Sequence, residues 1–294
     1  MTSGQDSAQK FGGPWTIIKV ETVVAYLQAF TTLLFNKPSP SRPFKRVYID
    51  GFAGSGSFKF GAITTGFFKR DAMEIAGSAQ RALRVNPPFD ELHFIEKRSA
   101  CLNALREMVA DDPRVTIHEG DANDAIRKLC EEINWRSTRG VIFLDPFGAE
   151  LDWETLKVIA ATQALDVWYL FPLSSVFRNA PHALDKLTAE KRASITKILG
   201  SLEWQAEFYS EPKVWTGLFD FGTPNAKRTV NVDAIEAFIE RRLKTVFPAV
   251  AKPRRLLGPK NVPLFSLFFA VSNPSPAAIN PALRIAQFLL GRRQ

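Results

Sequence analysis

A chain of 294 residues with 46 % hydrophobic residues, 24 Phe among them, has enough apolar material for one large α/β domain or two small ones. Its formal net charge of +8 favours an anionic partner such as nucleic acid, RNA or DNA, without specifying one. Cys101 and Cys130 form no metal-type pair and read as reduced core thiols of a cytoplasmic protein; no apolar run approaches a membrane span, and residues 1–13 lack the blocks of a signal peptide.

Residues 15–36 place Ile17, Val20, Val24, Leu27 and Leu34 near helical spacing and predict a helix, with Thr16 as candidate N-cap and Pro38 and Pro40 closing the segment. Lys19 on this helix reads as solvated. The run Val47-Tyr48-Ile49-Asp50 is a first strand, short, apolar and ended by a carboxylate, and it hands over at once to the turn Gly51-Phe52-Ala53-Gly54-Ser55-Gly56. Residues 57–76 mix Gly, Thr and Phe with Lys59, Lys69 and Arg70 and read as an inserted loop beside that turn. Ser78 reads as the N-cap of a helix reaching about Val85.

Strands at 92–96, 115–118, 141–144 and 166–171 then alternate with helices at 99–110, 124–133 and 153–161. Continuous apolar strands between helical patterns predict a parallel sheet covered on both faces. After Pro172 the pattern changes to helices at 183–199, 202–209 and 232–247, a helical insertion over about 173–250. Strands at 254–257 and 263–272 and a closing helix at 281–290, with Pro281 in its first turn, complete the chain. The expectation is a doubly wound α/β fold with a mostly parallel sheet of seven strands, forming a single domain over 15–294 after a flexible start at 1–14.

In such a sheet ligands bind outside the carboxyl ends of the strands, and the marked polar residues fall there. Gly54 and Gly56 lack a Cβ, so the turn can lie against a nucleoside, with Phe52 and Ala53 beside it. The turn is no P-loop, because Lys59 neither follows a glycine directly nor precedes Ser or Thr. Glu96 ends the second strand, with Lys97 beside it, where a carboxylate either accepts both hydroxyls of a ribose or is a solvated strand end paired with Lys97 or Arg98. Asp121, after the third strand, is placed to accept from an adenine amine while the Ala122 amide donates to the ring; it also suits a helix N-cap, as does Asn123. Asp50 would orient the turn or meet an ammonium group. These residues point to S-adenosylmethionine.

Asp145-Pro146-Phe147-Gly148 ends the fourth strand. An exocyclic base amine is a poor nucleophile, since its lone pair is delocalised into the ring. Asp145 and the Pro146 carbonyl can accept its two hydrogens, and Phe147 can stack on the base. Arg241, Arg242, Lys244, Arg254, Arg255 and Lys260 crowd a stretch without acidic residues and are candidate phosphate contacts. His93, His118 and His182 are too scattered for a triad, and no metal-ligand spacing is present.

With Trp15-Thr16, Lys19, Tyr48 to Gly56, Gly77-Ser78, Phe94-Ile95-Glu96-Lys97, Gly120-Asp121-Ala122-Asn123 and Leu144 to Gly148 in view, the chain resembles the three-Cys-motif partner protein family. The resemblance implies a class I methyltransferase (Rossmann-like) fold and a partner protein bearing a three-cysteine, iron–sulfur type motif. The Asp-Pro-Phe-Gly stretch is similar to the catalytic strand end of amine-directed nucleic-acid methyltransferases. It departs from the Asp/Asn-Pro-Pro-aromatic pattern of the adenine-N6 group at Phe147 and Gly148, and is closer to the form in tRNA guanine-N2 methyltransferases. The leading expectation is a methyltransferase acting on a base amine. A non-catalytic partner of the same fold and a metal-dependent nuclease stand as alternatives.

Overall fold

The computed structural model describes residues 13–60, 63–65, 68–70, 73–209 and 226–292. Of the expected flexible start, residues 1–12 lie outside the described residues, and Pro14 already opens α1 (Pro14–Leu34). The elements that build the sheet are β1 (Lys45–Asp50), α2 (Ser78–Ala82), β2 (Glu91–Glu96), α3 (Ser99–Val109), β3 (Val115–Glu119), α4 (Ala122–Glu132), β4 (Thr138–Leu144), α5 (Trp153–Ala161) and β5 (Leu165–Phe171). There follow α6 (Leu173–Asn179), α7 (Ala189–Leu199), α8 (Trp204–Phe208), α9 (Val232–Lys244), β6 (Arg254–Leu257), β7 (Pro263–Val271) and α10 (Pro276–Leu290).

The sheet has eight strands in the order Ala249–Val250, β7, β5, β4, β1, β2, β3, with β6 also on the outer edge of β7. The five strands β1 to β5 are parallel to one another. β7 enters antiparallel beside β5, and β6 and Ala249–Val250 pair antiparallel to β7. The chain winds outward from β1 to β3 and then crosses to β4 on the other side of β1. This reversal opens a crevice at the carboxyl ends of β1 and β4.

Alternate residues of the central strands feed two cores. Val47, Ile49, Ile142, Leu144, Val167 and Tyr169 pack with α4, α5 and the helices after β5. Tyr48, Val141, Phe143, Trp168 and Leu170 pack with α1, α2, α3 and α10. Burial on both faces is why these strands read as unbroken apolar runs. α1 corrects the expectation that no apolar run reaches membrane-spanning length: Trp15–Leu34 has that length and composition. Its apolar face lies on the sheet, with Val20, Val23, Tyr26 and Leu27 buried.

Residues 57–76 are not a loop. Ser57–Phe60 pairs antiparallel with Met73–Ala76, and inside it Ile63–Thr65 pairs with Phe68–Arg70, so the segment is a nested hairpin. The apolar–polar alternation of Met73-Glu74-Ile75 carries the strand period, masked to a first reading by the glycines and cations around it. Two expected caps also move. Gly13 and Gly77 cap α1 and α2, while Thr16 and Ser78 lie inside those helices and are buried. α6 follows Pro172 directly and is too short, at seven residues, to display a period. The helix expected from residue 183 begins at Ala189 with Thr188 as its cap. α10 begins at Pro276, so Pro281 lies inside the helix and not in its first turn.

Candidate active site

The turn after β1 is pinned from both sides. Gly51 N–H donates to Phe143 O at 2.9 Å, and Ala53 N–H donates to Ile95 O at 3.0 Å. Asp50 is fully buried; it accepts from Ser78 Oγ at 2.6 Å, Tyr48 OH at 3.2 Å and Phe52 N–H at 3.3 Å. Burial pushes its pKa up to about 6 against the opposing hydrogen bonds from Ser78 and Phe52. All three donors belong to the protein, so Asp50 shapes the turn and ties it to α2.

Gly54 and Gly56 both have positive φ, +62° and +78°, for different reasons. A Cβ at Gly54 would meet nothing within 4 Å, whereas one at Gly56 would lie 2.3 Å from Met108 Sδ. Gly54 faces open space, and Gly56 is bare because α3 packs on it.

A cleft at the carboxyl ends of β1, β2, β3 and β4 is lined by Gly51, Phe52, Ile95, Glu96, Lys97, Arg98, Gly120, Asp121, Ala122, Phe147 and Glu150. Five of the expected cofactor residues (Phe52, Glu96, Lys97, Asp121 and Ala122) thus share one space with Phe147. Asp50, Ala53, Gly54, Gly56, Asp145 and Pro146 are not among its lining residues.

Glu96 is buried, its side chain 6 % exposed. Its Oε1 accepts from the backbone amides of Lys97 at 3.0 Å and Arg98 at 2.8 Å, which fix the carboxylate in the cleft wall, and from Arg98 Nε at 3.2 Å. Its Oε2 has a long contact of 3.5 Å from Arg98 Nη2. Asp121 is exposed and caps α4, accepting from Asn123 N–H at 2.8 Å through Oδ1. Asn123 does not cap: it is buried, accepts from Asp152 N–H and Thr155 Oγ1, and donates to Glu150 O. Asp121 closes the β3–α4 turn, and Asn123 ties that turn to the loop after β4.

Phe147 is 48 % exposed, with the Arg98 guanidinium 4.8 Å from its ring centroid. Lys97 Nζ meets Glu150 Oε1 at 2.5 Å, and Glu150 Oε2 accepts from Phe147 N–H at 3.3 Å. Two contacts from the β2 end therefore reach the loop after β4. Arg98 pairs with Glu96, the alternative the sequence left open, whereas its place over Phe147 and the part played by Glu150 depend on the fold of the loop after β4.

Lys19 corrects its solvated reading. It is 7 % exposed and forms an ion pair with Asp145 Oδ2, whose side chain is 20 % exposed. The candidate phosphate contacts are largely engaged within the protein. Arg241 pairs with Glu207, Lys244 with Glu240 at 2.6 Å, and Arg255 with Asp233 at 2.7 Å and Glu236 at 2.8 Å. Arg242 donates to the carbonyls of Leu199 and Gly200 and lies over Trp153. Arg254 has its pKa lowered by burial, and Lys260 sits in a short 3-10 turn. Among the described residues no group of three or more His, Cys, Asp or Glu is disposed to hold a metal. Two of the histidines do meet: His93 Nδ1 and His118 Nε2 lie 3.0 Å apart across β2 and β3.

Among solved structures, the chain is similar to a Legionella pneumophila protein of the DUF519 family. They are 14 % identical with a TM-score of 0.52, over 95 % of this chain and 94 % of that one. It is also similar to spermidine synthase from Thermotoga maritima, at 14 % identity and a TM-score of 0.43, over 90 % of this chain and 62 % of that one. A third similarity is to an O-methyltransferase from Bacillus cereus in complex with SAH, at 11 % identity and a TM-score of 0.40, over 89 % of this chain and 83 % of that one. The likeness to the Legionella protein is one of fold alone, a doubly wound, mostly parallel α/β sheet of Rossmann-like type. No family model matches the chain, and no curated protein matches it.

Proposed function

We propose that the protein is an S-adenosylmethionine-dependent methyltransferase acting on an exocyclic amine of a nucleic-acid base. One observation carries the reading: a buried carboxylate, Glu96, shares a cleft at the sheet's carboxyl ends with Asp121, Ala122 and Phe147. The donor set fits the adenosine half of that molecule. Glu96 Oε2 is the acceptor for the ribose diol, and Arg98 gives up its long contact there. The Ala122 amide and Asp121 carboxylate flank the place of the base edge, and Gly54 leaves room for the remainder of the molecule.

When bound, S-adenosylmethionine supplies an electrophilic methyl group. The residues of this chain then align the acceptor, which is most of what an in-line displacement demands. The donor would keep its C–S electron pair, and the surplus proton of the methylated amine would pass to water. Asp145 and the Pro146 carbonyl draw the amine hydrogens, and Phe147 offers its exposed face to the ring.

The resemblance to the three-Cys-motif partner family, and with it a three-cysteine partner protein, belongs to this proposal. Its support is that separate motif segments meet: Lys19 with Asp145, and Ser78 with Asp50. Co-purification of such a protein with the tagged chain tests it. Titration calorimetry with S-adenosylmethionine and SAH tests the cofactor. A radiolabelled methyl assay on total RNA and DNA tests the acceptor, and absence of label in both pools counts against transfer to a base.

A further inference from the structure

A buried lysine beside the expected catalytic carboxylate has no place in the chemistry above. Lys19 reaches from α1 to Asp145 Oδ2, while Oδ1 of Asp145 has no hydrogen bond among the described residues. The second carboxylate nearby, Asp50, is already supplied with donors by Ser78, Tyr48 and Phe52. An amine approaching Asp145 therefore meets a carboxylate whose Oδ2 is already held by a cation, with Oδ1 left to accept.

Resting on the methyltransferase reading, we infer that Lys19 is a specificity-determining positioning residue that restricts the acceptor to a neutral, planar amine and rejects an ammonium. A cationic amine at Asp145 would sit beside the Lys19 ammonium. Like charges brought together in a partly buried site repel strongly. A neutral aryl amine needs an acceptor for each of its two hydrogens, Asp145 Oδ1 and the Pro146 carbonyl, and a flat apolar surface, which Phe147 provides. The displacement then moves one positive charge from sulfur to nitrogen without adding another, and the proton shed afterwards restores a neutral amine. The Lys19 ammonium also holds the carboxylate plane by its Oδ2, so the orientation of Oδ1 is set before the acceptor arrives.

The test uses the full-length protein with Lys19→Met, Lys19→Gln and Lys19→Arg. SAH affinity and melting temperature are measured first, and a variant that has lost either is set aside in favour of the other two. Labelled methyl transfer is then measured to two acceptor pools, total RNA plus DNA, and spermidine plus a lysine-rich peptide. The wild type should label nucleic acid and leave the cationic pool unlabelled. Lys19→Met or Lys19→Gln should lose about tenfold or more of kcat with SAH affinity within about twofold of wild type, and Lys19→Arg should recover part of that loss. Labelling of the cationic pool by the wild type overturns the inference, as does undiminished transfer in the neutral variants. SAH binding without transfer to either pool also overturns it. Failure of the wild type to bind SAH is a different result, which removes the methyltransferase reading itself.

Discussion

The two ends of the cleft are built differently. At the β2–β3 end, Glu96 and Asp121 are placed by their own strands and by hydrogen bonds to amides one or two residues away. At the β4 end, Asp145 is held by Lys19, 126 residues distant in sequence and carried on α1. Local geometry fixes the first end, the proposed nucleoside side. Tertiary packing makes the second depend on how α1 lies on the sheet, so under the proposed function a perturbation of α1 should reach methyl transfer and leave cofactor binding in place.

Substitutions can sharpen that contrast. The largest stability effect is expected at Gly56→Ala: the positive φ, together with displacement of the flexible end of Met108, should cost about 1–3 kcal/mol in chemical denaturation. Gly54→Ala has the same φ problem with open space, so it should cost only about 1–2 kcal/mol and register mainly as weaker SAH binding. If the two variants prove equally destabilised, the packing distinction between them is wrong. Asp121→Ala removes the α4 cap and should lower stability by about 1 kcal/mol. The same substitution should weaken SAH, where Lys19→Met should not.

The smallest effect lies off the cleft, at the His93–His118 pair. Burial, with the neighbouring His118, pulls the His93 pKa down from 6.5 to about 4. A folded-state value below the unfolded one means the unfolded chain takes up the proton first. The associated stability is whole above pH 6.5 and drains away as pH falls toward 4. Asp50, raised to about 6, and Asp166, raised to about 7 chiefly by burial, act in the opposite sense and are common to both proteins in the comparison. The melting-temperature gap between wild type and His93→Gln should therefore narrow between pH 6.5 and 4. A gap constant across that range would show that His93 is not held neutral.

The parallel sheet was legible because strands buried on both faces leave apolar runs that end in polar residues, and Glu96 and Asp121 stood out by that position. Whatever depends on long-range packing was not. Lys19 looks solvated along its own helix, since nothing local announces Asp145. Arg241 and Arg255 look like part of a free basic stretch until Glu207, Asp233 and Glu236 are brought to them, whereas Lys244 finds Glu240 one turn back on its own helix. Gly54 and Gly56 are alike in sequence, and only the approach of Met108 separates them. The nested hairpin at 57–76 failed for a local reason: its short strands are broken by glycines before a period can be established.

The central claim is that Glu96 belongs to a nucleoside site, and titration calorimetry of SAH into wild type and Glu96→Ala tests it most directly. The account predicts saturable binding to the wild type and an affinity lower by about 10–100-fold in the variant, the usual worth of a hydrogen bond to a charged group. Equal affinity in two folded proteins, or no binding to the wild type, contradicts it.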